Sequence, residues 1–456
     1  MPTTYDVRIW KTEKYEGQRF TSYSVRWKVG SRSWRESFRN QAQAESFRSE
    51  IVAAARRGEA FDTETGRPAI LGRIAREMSW YQFACDYVDM KWKPAAGKYR
   101  RSIAEALTTV TPVMLTTGRG RPDDRALRLA LTGWAFNSSR RGDPDRPAWI
   151  ADALRWVENN TRPVSSLAQP QLVRAVLDEL ASRLDRGPAA ATTVNRKRAV
   201  LSNALSYAVE LELLAANPID TIKWRPPRST GAIDRRAVIN PVQARSLLRS
   251  LGEVPAGDRY VAFFAVMYFA ALRPEEAVNL HKHNLSLPTA GWGELAIDRA
   301  TPDTGRQWTD SGRQRDERQL KHRGRGEVRT VPCAPELVAI LREHLAAFGT
   351  DAAGRLFHSA RGGAIGSSTY GRMWDRARQA TFTQEAYSSP LGKRPYDLRH
   401  AAVSTWLNGG VPPTQVAEWA GHSVEVLLRV YAKCLDGQQE AAKRRVEAAL
   451  GLQLVG

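Results

Sequence analysis

Apolar and polar positions alternate from Tyr5 to Phe38, with Val7 and Ile9, then Tyr23, Val25, Trp27 and Val29, on the apolar side. A period of two predicts short antiparallel strands. The period then lengthens: Ala44, Phe47, Ile51 and Ala54 recur at helical spacing between Gln41 and Arg57, and Arg56-Arg57 before Gly58 marks a helix end. Phe61 to Pro68 has the composition of a linker.

Helix dominates the middle of the chain. Ser79 is placed to cap a helix whose apolar face is Trp80, Phe83, Ala84, Tyr87 and Val88. The helical pattern continues to a last helix with Leu201, Leu205, Ala208 and Val209 on one side, which Asn217-Pro218 is expected to stop. Trp224 to Arg236, with Pro226-Pro227, Ser229 and Gly231, reads as an exposed linker. Asn240-Pro241 then supplies an N-cap with proline at the first helical position. Beyond it helices alternate with a short sheet, whose clearest strands are Glu294 to Asp298 and Val328 to Pro332. Ala402, Val403, Trp406 and Leu407 return to helical spacing, Gly409-Gly410 breaks that helix, and another follows from about Thr414. The fold class is therefore multidomain and mainly α with small β-sheets. The pattern divides the chain into an α+β domain over 1–66, an all-α domain over 67–222, a linker over 223–239 and a mixed α/β domain over 240–456.

A chain of 456 residues has room for about three domains. Its formal net charge of +20 and pI near 10.2 point to a polyanionic partner. Membrane surface is the rival polyanion. No apolar run reaches the length of a spanning helix and the N-terminus has no apolar signal core, so no membrane role and a cytoplasmic location are expected. Cys85, Cys333 and Cys434 are far apart, which suits a reducing compartment and offers no metal-ligand spacing. His281 and His283 are too few to hold zinc alone and read as a surface loop.

The stretch from Arg394 to Tyr431 carries the chemistry. It opens Arg-Pro-Tyr-Asp-Leu-Arg-His, passes Gly421-His422-Ser423, and closes on Tyr431. A phenol has a pKa of about 10, so a phenolate at neutral pH costs roughly 4 kcal/mol, and only an electropositive site makes tyrosine a practical nucleophile. Arg399 and His422 are placed to supply that site. A phosphodiester is the natural target, because guanidinium groups hold two phosphate oxygens and stabilise the charge of a pentacoordinate transition state. Such a pocket needs no metal and no other cofactor.

The run Tyr396-Asp397-Leu398-Arg399-His400, then Gly421-His422, then Tyr431 nine residues after that histidine, resembles the C-terminal signature of the tyrosine recombinases, also called the phage integrase family. Two upstream pieces match. Arg273 with Glu276 three places on looks like the family's first arginine box, and Lys321, ahead of Arg329-Thr330-Val331-Pro332, sits where the family keeps a lysine on a β-hairpin. The resemblance covers roughly Asn240 to the C-terminus. It implies that Tyr431 attacks the scissile phosphate, that Arg273 and Arg399 hold its non-bridging oxygens, that Lys321 protonates the leaving 5′-oxygen and that His422 adds a hydrogen bond. Glu276 and His400 would support the site. One position departs from the pattern: Tyr396 stands where the family usually has histidine. A phenol can donate or accept a hydrogen bond but does not titrate near neutrality, which removes the usual base.

The resemblance also implies roles for the domains and for the basic residues. Domain 1–66, with Arg26 and Lys28 among its strand residues, resembles an arm-type DNA-binding domain. Domain 67–222, with Lys98, Arg100, Arg101, Arg196, Lys197 and Arg198, resembles a core-binding domain, and domain 240–456 a catalytic one, where Arg313, Arg315 and Arg323 lie in the densest basic patch. The implied function is a site-specific DNA recombinase or integrase of a phage or mobile element, which cuts and rejoins DNA through a 3′-phosphotyrosyl intermediate. Its partners would be double-stranded DNA attachment sites, three further copies in a tetramer on paired sites, and a host DNA-bending protein or directionality factor. Two rivals stand beside it: a type IB-like topoisomerase, and a catalytically silent DNA-binding protein motivated by Tyr396.

Overall fold

The computed structural model describes residues 3–16, 21–68, 77–228, 231–321, 323–324, 326–431 and 438–450, the last with side chains from 443 onward. His322, Arg325 and Cys434 lie outside them. Two compact units form, one from 1–93 with 103–225, the other from 94–102 with 226–456.

In the first unit, Thr21–Val29 is the long strand that organises the N-terminal sheet. Val7–Ile9 and Glu13–Glu16 pair antiparallel along it, and Arg32–Phe38 pairs with it as a hairpin. Strand alternation sends Val25, Trp27 and Val29 inward and leaves Arg26 and Lys28 exposed. The helix Gln41–Arg56, capped by Asn40, closes this core with Ala44, Ile51 and Ala54. Phe61 to Pro68, expected as a linker, is instead part of the fold. Phe61–Asp62 pairs with Thr3–Thr4, and the Trp27 indole N–H donates to the Gly66 carbonyl. Phe61 is fully buried, and Gly66, at φ +71°, lies so close to the Trp34 ring that a Cβ there would overlap it.

The rest of this unit is helical. Ser79 caps Trp80–Trp92 by accepting from the Gln82 N–H, and Trp80, Phe83, Tyr87 and Val88 are buried. The helix Ala191–Glu210 buries Val194, Val200, Leu201, Ala204, Leu205 and Ala208. It ends well before Asn217-Pro218, which caps a separate short helix, Pro218–Thr221, rather than stopping this one.

The second unit is built around Asp258–Phe269, an apolar helix with Phe263, Phe264, Ala265, Val266 and Met267 fully buried. The helices Pro241–Glu253, Pro335–Phe348, Ser367–Thr381 and Asp397–Asn408 surround it. Asn240 and Gln243 form a reciprocal capping box at the first of these. Three antiparallel strands, Leu285–Ser286, Gly293–Ile297 and Arg329–Cys333, make a sheet with the second in the centre. Arg299–Ala300 and Arg318–Gln319 form a separate pair. A smaller core gathers Ala271, Ala402, Val403, Leu407, Val416, Ala417, Ala420, Leu427 and Tyr431. No helix among the described residues is long and apolar enough to cross a membrane, and no group of their His, Cys, Asp or Glu side chains is arranged to hold a metal.

Candidate active site

Three arginines from three distant parts of the second unit come together, two of them on one carboxylate. Arg273 caps the short helix Pro274–Ala277, which places Glu276 so that it accepts from the Arg273 backbone N–H at 2.9 Å and from its Nη1 at 2.7 Å. Arg329, at the start of its strand, points inward like Val331 and Cys333 and donates to both oxygens of Glu276. Burial pushes the Glu276 carboxyl up, but Arg329 and Arg273 beside it, with Arg399 nearby, hold it well below the usual carboxylate range. It is ionised at any physiological pH.

Arg399 is fully buried near the start of the helix Asp397–Asn408. Its Nη1 donates to the Ala271 carbonyl and its Nη2 to the Ala420 carbonyl and, at 2.8 Å, to His422 Nε2. Ala271 holds a left-handed φ of +49°, which costs an alanine about 1–2 kcal/mol. The Arg399 bond ties down the carbonyl of that strained turn, two residues before Arg273. On the other side Arg273 Nη2 donates to the Gly421 carbonyl at 2.7 Å. Gly421 ends the helix Pro413–Ala420 at φ +64°, and a Cβ there would lie 2.4 Å from Arg329 Nη1. Glycine is required twice over, for the conformation and for the approach of Arg329.

His422 follows directly. Arginine has no acceptor, so His422 Nε2 accepts and its proton resides on Nδ1, which is buried without a partner. Burial first, then Arg399 and Arg273, push the imidazole down to about 3, and it is neutral. Arg329 Nε and Arg399 Nε are likewise buried and unpartnered. Three guanidiniums against one carboxylate leave two positive charges in excess in a buried, donor-rich pocket, an arrangement that favours an anion with several acceptor oxygens.

Tyr431 closes the helix Val424–Tyr431 and is 1 % exposed. Its Oη lies 3.0 Å from His400 Nδ1, and its ring is tilted against those of His400 and His422. Tyr396, one turn before His400, packs its ring edge-on against that imidazole with centroids 5.0 Å apart. The Tyr396 position therefore contacts His400, and His400 contacts Tyr431.

The sequence expectations meet this geometry unevenly. Arg273, Glu276, Arg399, His400, His422, Tyr396 and Tyr431 come together. Lys321 lies at the turn after Arg318–Gln319, exposed, and makes no hydrogen bond or ion pair with another described residue. Arg329 is the member that reading the sequence as a plain strand overlooked; the signal was a charged residue in phase with Val331 and Cys333.

The basic residues separate by burial. Arg26, Lys28, Lys98, Arg101, Arg196 and Arg313 are exposed, Arg196 with Glu105 at 3.6 Å. Arg100 is not a surface residue: 3 % exposed, it donates to the Trp308 carbonyl and pairs with Asp310 at 2.6 Å. Arg315 is also committed inside, to the Thr301 and Ile365 carbonyls and to Asp303. Arg323 pairs with Glu327. Lys197 donates to Thr109, and Arg198 is half-buried.

Residues 237–437 match the model of the phage integrase family. No curated protein matches the sequence. Among solved structures the chain is similar to a Tn1549 transposon integrase in complex with a circular intermediate DNA, at 14 % identity over 68 % of this chain and 96 % of that one, with a TM-score of 0.48. It is similar to the XerH site-specific recombinase bound to its difH substrate, at 12 % identity over 81 % of this chain and 94 % of that one, TM-score 0.48. A lambda integrase bound to DNA matches at 13 % identity over 77 % of this chain and 94 % of that one, TM-score 0.45.

Proposed function

We propose that this chain, which carries a phage integrase family domain over residues 237–437, is a site-specific DNA recombinase that integrates or excises a phage or other mobile element. The observation that carries the reading is the pocket of Arg273, Arg329 and Arg399, with excess positive charge and unpartnered donors, beside the buried Tyr431.

In this reading a DNA phosphate enters the pocket and its two non-bridging oxygens take the free donors of Arg273 and Arg399. His422 donates through Nδ1, which carries its proton. Glu276 and Arg329 stay out of the reaction and fix Arg273. Tyr431 Oη forms a bond to phosphorus, the bond to the 5′-oxygen breaks, and Lys321 gives that oxygen a proton. The product is a 3′-phosphotyrosyl link and a free 5′-hydroxyl. The link keeps the energy of the phosphodiester, so the 5′-hydroxyl of a partner strand reverses the step without ATP. Four protomers on two duplexes are the working unit, with an accessory bending or directionality protein as a further partner. The N-terminal sheet, with Arg26 and Lys28 exposed, and the helical region, with Lys98, Arg101 and Arg196, supply contacts along the duplex.

A two-duplex exchange assay tests it. Products carrying strands from both duplexes are expected; relaxation of supercoils with no exchanged strands would move the assignment to a type IB-like topoisomerase.

A further inference from the structure

We propose that His400 is the general base that takes the proton of Tyr431, filling the role vacated where Tyr396 stands. This rests on the reading of Tyr431 as the nucleophile. The carrying observation is the 3.0 Å contact of His400 Nδ1 with Tyr431 Oη, the atom that reacts.

Three other groups of the site are less suited to the task. His422 Nε2 is occupied by the Arg399 N–H, and its other nitrogen carries the proton, so His422 has one donor to offer and no free acceptor. Glu276 is saturated by Arg273 and Arg329 and is held strongly acidic. Tyr396 offers a phenol in place of an imidazole. Its ring instead packs against the His400 imidazole, which fixes the plane of the ring that meets Tyr431. Helix geometry makes the division of labour: Arg399 and His400 are successive residues about 100° apart around the axis, so one faces the arginine cluster and the other Tyr431.

The charged and titratable groups facing His400 are Arg399 and Arg394 on its own helix and the turn before it, with Tyr396, Tyr431 and His422 around the ring. Burial, then Arg399 and Arg394, push His400 down to about 4. It is therefore neutral at physiological pH, and in the tautomer with the proton on Nε2 its Nδ1 is the acceptor that the proposal uses. A base this weak gains strength when a phosphodiester brings a negative charge beside Arg399, so proton transfer is coupled to the presence of the substrate. In the reaction the Oη–H proton passes to His400 Nδ1 as the oxygen bonds to phosphorus, giving an imidazolium, and the same proton returns to Oη when the 5′-hydroxyl attacks the phosphotyrosyl link.

The test uses the full-length protein and a suicide duplex, nicked so that the adduct accumulates. His400→Asn keeps a short polar side chain in place of the imidazole and removes the base; His400→Ala removes both polarity and basicity. Cleavage by His400→Asn is expected to fall about 10²- to 10⁴-fold, with DNA affinity kept. Placing a fluorinated, more acidic tyrosine at position 431 of His400→Asn should recover at least a tenfold rate, because an acidic phenol needs less help. A substrate with sulphur at the bridging 5′-position should leave His400→Asn slow, since the defect is on the attacking side. Equal cleavage by His400→Asn and wild type overturns the proposal, and so does a deficit that fluorination does not shrink, which would mean positioning alone. If wild type itself forms no adduct, it is the recombinase reading that fails.

Discussion

Arg329 and Glu276 meet through two parallel hydrogen bonds, 2.9 Å from Nη1 to Oε1 and 2.7 Å from Nη2 to Oε2, with both side chains 1 % exposed. The same carboxylate holds Arg273. One buried acid thus fixes two cations of a pocket whose third, Arg399, is held by backbone carbonyls. Removing one member of a buried pair strands the other charge, which typically costs about 3–5 kcal/mol, whereas removing both with apolar replacements is far milder.

Glu276→Leu, which strands both Arg273 and Arg329, should accordingly destabilise the protein by about 3 kcal/mol or more, Arg329→Leu, which leaves Glu276 paired with Arg273, by less, and the double variant by clearly less than the sum. Denaturant melts of the four proteins measure the cycle. Additive losses would mean the two side chains are not coupled.

The pH dependence of stability follows from groups that refuse protons when folded. His400 and His422 are depressed to about 4 and about 3, against an ordinary histidine value of 6.5. The unfolded chain therefore binds more protons from about pH 6.5 downward, and stability falls as the pH falls through that window. His344, lowered by burial, acts with the same sign. Glu276, whose folded carboxyl titrates below its unfolded value, adds a loss that begins as the pH falls into the ordinary carboxylate range near 4.5. Without DNA, Tm should be level above pH 7 and drop by about 5 °C or more on going to pH 4.5. His400→Asn should flatten the upper part of that curve. A Tm that does not change between pH 7 and pH 5 would contradict the neutral, buried histidines.

Arg100 and Lys98 separate structure from DNA contact. Arg100→Ala removes a buried guanidinium from the Trp308 carbonyl and Asp310, so a loss of about 2–4 kcal/mol of stability is expected, with the salt dependence of DNA binding unchanged. Lys98→Ala should leave the melt alone and lower the slope of log affinity against log salt by about one. Matched thermal melts and salt titrations check the pair. A reduced slope in Arg100→Ala with an unchanged melt would return Arg100 to the DNA surface.

Much of this was legible in the sequence because it is written in local periods and caps. The alternation through Val25, Trp27 and Val29, the Ser79 and Asn240 caps and the break at Gly409-Gly410 are each decided by a few neighbouring residues. What was hidden depends on distant partners. Phe61 to Pro68 looks like a linker because its polarity is linker-like, yet Thr3–Thr4 supplies a strand to pair with Phe61–Asp62 and Trp34 covers Gly66. Arg100 and Lys98 are two residues apart in one basic run, and only Trp308 and Asp310, some 200 positions on, distinguish them. Arg329 and the His400 contact with Tyr431 are products of the same kind of long-range closure. The motif spacing named Arg273, Arg399, His422 and Tyr431 as candidates, but which nitrogen faces which oxygen needed three dimensions.

Tyr431 is the residue on which the whole account turns, and a denaturing gel of full-length protein incubated with a nicked attachment-site duplex addresses it most directly. Wild type is expected to give a covalent protein–DNA band in which peptide mapping finds the DNA on Tyr431. Tyr431→Phe, which loses one oxygen from a buried ring, is expected to bind the duplex with affinity within about threefold of wild type and to give no such band. An undiminished adduct from Tyr431→Phe would contradict the central claim.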